Sequence, residues 1–330
     1  MRRRDLLFGA AGLAAAGLHT ADAAKAGLPA IEVGVANYAG VSPFYMALER
    51  GYFRQAGLDV RLNIEAHTAP LVAAGRLDAA ITSVTPALFN AVAHGTDIRI
   101  VMGRDRVTPG CGSSGVLWAR RAAFPNGTGD IRQWIGKRIS RGRSVGADEF
   151  LFDTIMSRSG IDPGQVPWPQ LNTAQAVAAL IAGSIDGMMR TENAALDHMA
   201  ENGIVREEAG RKIVANLQYS YIIFGPGLLT RDVSVGSRFL ACCLRGVRDF
   251  EAGVTPQFLR DLAATEGGAQ SVIRECRGYA APGGAIDRES VRLARDWSVA
   301  RGYSQPGVSV DSVIDDRFLG PAQKEAGIAL

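Results

Sequence analysis

Few of the 330 residues are of the kinds that hold metals or carry out covalent chemistry. There are four cysteines (Cys111, Cys242, Cys243 and Cys276) and four histidines, with no CxxC pair and no HExxH, which argues against a zinc site. The chain has no nucleophile elbow and no phosphate-cradling glycine loop, and Gly110 to Gly115 (GCGSSG) lacks the strand–helix setting that a dinucleotide fold requires. No basic run carries interleaved aromatics and no lysines cluster, which argues against nucleic acid and anionic membrane surfaces as partners. Cys242, Cys243 and Cys276 sit in apolar helical patterns and read as buried free thiols. In an oxidising compartment, pairing of Cys276 with Cys242 or Cys243 is the alternative.

Nor does the start of the chain favour a membrane anchor. The apolar stretch 6–18 (LLFGAAGLAAAGL) is well short of the ~20 residues that span a bilayer core. It follows Arg2-Arg3-Arg4 and precedes Ala21-Asp22-Ala23, a small-residue cleavage site, so residues 1–23 read as an export signal. Arg3-Arg4-Asp5-Leu6-Leu7 resembles a twin-arginine signal, although three arginines also serve an ordinary secretory one. No cysteine lies near the cleavage site, so the expectation is a freely diffusing periplasmic protein without a lipid anchor. Removing 23 of 330 residues leaves 307, with 33 basic and 31 acidic side chains and a formal charge of +2. That balance favours a small-molecule partner, and the length exceeds what one core usually holds.

What is present is a regular alternation of strands and helices. In Pro43 to Leu62 (PFYMALERGYFRQAGLDVRL), Ser42 is placed to N-cap a helix over 43–55 that has Pro43 at its first position. Gly57 stops that helix before the strand Leu58 to Ile64. The order then recurs. Strand Ile31 to Ala36, a helix, a glycine, a strand, a short helix and Ala74-Gly75-Arg76-Leu77-Asp78 lead to strand Ala80 to Thr82. Strand Lys137 to Ser140, helix Ala147 to Ser159, Gly160, strand Val166 to Trp168 and helix Thr173 to Ala182 lead through Gly183-Ser184-Ile185-Asp186 to Met189. Asp78 and Asp186 read as structural residues of this repeat. Such alternation implies an α/β protein with two doubly wound parallel sheets, covered on both faces, and a ligand cleft at the carboxyl ends of their strands. Tyr219 to Phe224 should return the chain to the first sheet, and the helices at 237–251, 256–264 and 288–301 should pack there.

The wording Pro43-Phe44-Tyr45, Glu49, Gly51-Tyr52-Phe53, Gly57-Leu58-Asp59-Val60 resembles the periplasmic solute-binding proteins of ABC importers for nitrate, sulfonates and taurine. That superfamily includes binders of thiamine-pyrimidine precursors. The resemblance covers nearly the whole mature chain. It implies the type II periplasmic-binding-protein fold, with residues 24–121 and 222–330 forming lobe 1 and residues 122–221 forming lobe 2, joined by two crossover segments. It also implies a monomer without a cofactor that hands a small organic anion to a membrane permease. An enzyme on the same fold, a thiamine-pyrimidine synthase or an aromatic acid decarboxylase with His67 as its best candidate residue, is the rival reading. The synthases' cysteine-rich motif is absent here. A periplasmic sensor subunit is the third.

With this topology, four loops at strand ends line the cleft. Tyr38 can stack on or hydrogen-bond a ligand, and Ser42 with the free amides behind it can receive an anion. Thr82 and Ser83 are ligand hydroxyls in Thr82-Ser83-Val84-Thr85-Pro86, where one hydroxyl of the three should cap the next helix. Ser144 lies in the glycine turn 143–147, where the resembled family binds a ligand's acidic group and where Asp148 and Glu149 would crowd an anion. Arg190 and Glu192 close the fourth loop, with Asn193 where many family members have proline. Ser113 is a hinge-side candidate, and Tyr219 with Tyr221 can sandwich a planar ligand or simply face a strand.

Overall fold

The computed structural model describes residues 28–65, 67–108, 114–142, 145–189, 197–265, 277 and 279–328, so the export signal expected at 1–23 lies outside the described residues. The chain runs β1 (Ala30–Val35), α1 (Ser42–Glu49), α2 (Tyr52–Gln55), β2 (Asp59–Ile64), α3 (Thr68–Ala73), β3 (Ala79–Ser83), α4 (Pro86–Ala93) and β4 (Arg99–Gly103). It continues through β5 (Leu117–Arg120), β6 (Ile139–Ser140), α5 (Ala147–Arg158), α6 (Thr173–Ile181), β7 (Gly187–Met189), β8 (Ile204–Glu207) and α7 (Ala209–Ile213). It ends with β9 (Ser220–Phe224), α8 (Pro226–Leu229), α9 (Val233–Glu251), α10 (Gln257–Thr265), α11 (Arg288–Ala300) and α12 (Leu319–Ala326). No helix among the described residues is long and apolar enough to cross a membrane.

The strands form two sheets, in the orders β2-β1-β3-β9-β4 and β6-β7-β5-β8. Neither is wholly parallel, as the alternation alone had suggested. β9 runs antiparallel to both β3 and β4, and β5 antiparallel to β7 and β8. The reason is topological: a chain that leaves the first sheet at the carboxyl end of β4 and comes back at the same end must re-enter pointing the other way. The strand pairings also shift the expected boundaries. β5 pairs in the second sheet although it precedes residue 122, and Ser220 and Tyr221 pair in the first although they precede residue 222. The two crossing segments lie side by side, with Arg106 bridged to Gln218 and Val107 N–H donating to the Leu217 carbonyl at 2.9 Å.

Two local expectations are corrected. The helix over 43–55 breaks in two at Gly51, whose φ of 69° is a left-handed conformation that other residues adopt only with strain. Val166 to Trp168 is not a strand. Ile139 N–H donates to the Pro167 carbonyl, but Pro167 and Pro169 have no N–H to extend a ladder.

Packing follows strand alternation. Along β9, Ile222 and Phe224 face a cluster with Phe44, Phe53, Phe239 and Phe318, supplied by α1, α2, α9 and the segment before α12. Tyr221 and Ile223 face the opposite cluster, which continues through Val107, Leu217 and Val214 in the crossovers to Phe150, Phe152 and Trp134 beside the second sheet. α9 presses closely on α1, since a Cβ at Gly246 would sit 2.3 Å from the Pro43 carbonyl oxygen. Cys242 and Cys243 are free and buried in this layer, and burial pushes the Cys242 thiol up to about 12. Cys111 and Cys276 lie outside the described residues.

Candidate functional site

The carboxyl ends of β1, β3 and β4 and the amino end of the antiparallel β9 all lie on one edge of the first sheet. That edge is stitched by backbone bonds from Arg104 N–H to the Ser220 carbonyl (2.9 Å) and from Val84 N–H to the Tyr219 carbonyl (2.7 Å). At its centre is Arg104, 6 % exposed. Its Nε donates to Ser220 Oγ at 2.7 Å, its Nη1 to the Gly40 carbonyl at 2.6 Å, and its Nη2 to the Tyr38 hydroxyl and the Asp105 carboxylate. Ser220 Oγ in turn donates to the Thr82 carbonyl at 3.1 Å. Beside this group the Tyr219 hydroxyl pairs with Ser114 Oγ.

The electrostatics follow from burial. Desolvation opposes the charge on Arg104, but Asp105 and the surrounding tyrosines outweigh it and hold the guanidinium protonated. Burial pushes the Asp105 carboxyl up to about 6 against the pull of Arg104. Burial likewise raises the phenols of Tyr38, Tyr219 and Tyr279, so all three stay neutral donors.

Of the residues singled out in the sequence, Tyr38, Ser83 and Tyr219 meet here, Ser83 supporting the Tyr38 hydroxyl. Thr82 contributes its carbonyl, while its own hydroxyl donates to the Ser83 carbonyl at 3.3 Å. Ser42 is not an N-cap. It is the first residue of α1, fully buried, and its hydroxyl donates back to the Ala39 carbonyl at 2.6 Å because a short 3₁₀ turn, Ala39–Val41, precedes it. Nor does a hydroxyl cap α4. Thr85 occupies the cap position, but its Oγ1 is buried without a partner. Tyr221 points to the core and donates to the Gln218 carbonyl at 3.2 Å. Ser113, Ser144, Arg190 and Glu192 lie outside the described residues. His67 follows the edge strand β2 and is exposed.

Sequence reasoning missed Arg104, Asp105 and Ser220. A signal was available: Arg104-Asp105-Arg106 follows the apolar strand residues Ile100 to Gly103 without a spacer, which places charges where the strand end is still buried.

Beside the second sheet, α5 carries Asp148 and Glu149 in its first turn. Glu149 is turned into the protein interior. It is fully buried and accepts from Arg301 Nη2 at 3.0 Å and the Tyr303 hydroxyl at 2.8 Å. One turn on, Asp153 accepts from Arg301 Nε (3.0 Å), Trp297 Nε1 (2.9 Å) and Arg141 Nη1 (2.9 Å). The segment carrying Arg301 and Tyr303 is itself fixed to α4, where Asn90 Nδ2 donates to the Tyr303 carbonyl at 2.8 Å. The two helices that begin next to the candidate ligand loops are thus strapped together. Among the described residues no group of histidine, cysteine, aspartate and glutamate is placed to hold a metal ion.

No curated protein matches the sequence. Solved structures do. A putative periplasmic sulfonate-binding protein, SsuA, of a sulfonate ABC transporter from Methylobacillus flagellatus KT superposes with a TM-score of 0.67 at 16% identity, over 91% of this chain and 96% of that one. The periplasmic nitrate-binding protein NrtA from Synechocystis PCC 6803 gives 0.64 at 11% identity, over 90% and 89%. The Candida albicans CA3427 gene product, described as having the generic periplasmic binding protein fold, gives 0.63 at 15% identity, over 88% and 98%. This chain has that fold. A family model described as NMT1/THI5 like matches residues 39–247, well over half of the sequence, and the chain belongs to the NMT1/THI5-like family.

Proposed function

We propose that this chain is the periplasmic substrate-binding component of an ABC importer, which captures a small organic anion between its two sheets and delivers it to a membrane permease. The observation that carries the reading is the gathering of Tyr38, Ser83, Arg104, Tyr219 and Ser220 on one sheet edge, where ligands bind in open α/β folds. The two sheets act as two lobes joined by the paired crossovers, and Ser113, Ser144, Arg190 and Glu192 complete the cleft from loops flanking it. Neighbours named for sulfonate and nitrate binding support the transport role and the class of ligand. Residues 1–23 direct export, by the twin-arginine route. For an enzyme on this fold the residue the sequence offers as its best candidate, His67, is exposed at the end of the edge strand.

The test is a thermal-shift screen of the mature chain against sulfonates, taurine, nitrate, aromatic carboxylates and pyrimidines. A ligand at about 100 times its Kd stabilises the native state by about 2.7 kcal/mol, which moves the Tm by degrees. The expected result is a hit that NMR shows to be bound and released unchanged. A hit converted to product would replace the transport reading with the enzymatic one.

A further inference from the structure

Every nitrogen of the Arg104 guanidinium already has an acceptor, and one of those acceptors is an adjacent carboxylate. Arg104 is therefore fixed in place by the protein, and Asp105 offsets part of its charge. The unmet demand on this sheet edge lies elsewhere. Asp105 is 2 % exposed; its Oδ2 takes Arg104, while its Oδ1 is buried and has no hydrogen-bond partner. A carboxylate oxygen in that position is expensive to leave unmade, because it has lost water and gained nothing. Its own backbone cannot turn it away, since the Asp105 carbonyl is held by Tyr219 N–H at 3.2 Å and the residue is bridged to Ala280. Tyr38 is bound to the same guanidinium nitrogen, and Tyr219 and Tyr279 are close enough to feel the Asp105 charge. An orphaned acceptor among tyrosines is complementary to an N–H group, charged or on a planar ring.

We propose that Asp105 is a specificity-determining residue of the ligand site, its Oδ1 accepting a hydrogen bond from an amine or ring N–H of the ligand. The inference rests on the solute-binding reading above and narrows it. The captured compound couples an N–H donor to its acidic part, and a bare anion of the nitrate or simple alkanesulfonate kind leaves Oδ1 unsatisfied.

Matched pairs test this by calorimetry on the mature chain: taurine against ethanesulfonate, aminobenzoate against benzoate, and aminopyrimidine against pyrimidine. The expected result is that the amino member of the pair that binds does so about tenfold or more tightly, the range of a hydrogen bond to a charged group. Asp105→Asn should shrink that ratio to about twofold or less. Equal affinities within a pair overturn the role of Asp105 and leave the solute-binding reading intact. A preference that survives Asp105→Asn also overturns it, by placing the acceptor elsewhere. The absence of binding by every compound, in both wild type and variant, overturns the solute-binding reading together with the proposal built on it. If Asp105→Asn fails to fold, the wild-type ratios decide alone.

Discussion

Asp78 and Asp186 make the same pair of bonds in different sheets. Asp78 Oδ2 accepts the Glu32 N–H at 2.9 Å while its own N–H donates to the Glu32 carbonyl at 2.8 Å. Asp186 Oδ2 accepts the Arg138 N–H at 2.9 Å while its own N–H donates to the Arg138 carbonyl at 2.9 Å. In each case an aspartate entering one strand fixes the start of the strand that opened the same half of the chain. The bond satisfies a backbone donor just beyond the end of the strand ladder.

Asp78→Ala and Asp186→Ala should each lower unfolding free energy by about 1–2 kcal/mol in urea titrations. Because the residues belong to separate sheets, the double variant should lose close to the sum. Neither change should alter the affinity of a bound ligand, and a selective loss of binding would move the aspartate concerned into the site.

Asp105 should make the protein less stable as pH rises. Its carboxyl is pushed up to about 6 by burial, above its unfolded value, so between roughly pH 4 and 6 the folded chain holds more protons than the unfolded one. The contribution is fully present below about pH 4 and is lost by about pH 7, a change of roughly 3 kcal/mol between those limits. Chemical denaturation of wild type and Asp105→Asn across this range isolates it. The difference in stability between the two should drift toward the variant as pH increases, and a drift in the other direction would mean that Arg104 dominates the carboxylate.

Arg301 is the charge that two buried carboxylates share, 3.0 Å from Glu149 Oε1 and 3.0 Å from Asp153 Oδ2. Arg301→Ala should cost about 2 kcal/mol, below the ~3–5 kcal/mol of a fully buried broken pair because the arginine side chain is one-third exposed. Adding Glu149→Gln should return part of that loss, since the amide is cheaper to bury alone than a carboxylate. A double variant no better than Arg301→Ala would show that packing of the arginine stem, not its charge, is what matters.

The sequence showed the fold more fully than the site, and the reason lies in the range of the forces. The repeat could be read because each of its parts is local: Gly57 and Gly160 are left-handed helix ends, and both aspartates sit at a fixed distance from the strand they serve. Tyr38, Ser83 and Tyr219 could be found because they follow or precede strands whose direction the alternation implied. Arg104 and Asp105 needed a fact that no local pattern contains, namely that β9 would arrive between β3 and β4 and bring Ser220 under the guanidinium. Ser42 misled for the opposite reason. A serine before a proline fits an N-cap, but the 3₁₀ turn ahead of it moved the helix start by one residue and turned its hydroxyl inward.

The placement of β9 also dictates an order of assembly. β4 has no neighbour in the first sheet except β9 among the described residues, so Arg99–Gly103 must wait until Ser220–Phe224 has left the ribosome. The strands β5 to β8 and their helices are all synthesised in between, and they can mature while the first sheet is still two pieces. Closing that gap is a long-range, entropically slow step, and during it the apolar edges of β3 and β4 are open to wrong partners. The pairing that brings Ser220 under Arg104 thus waits for β9, and the candidate site exists only once that strand is in place.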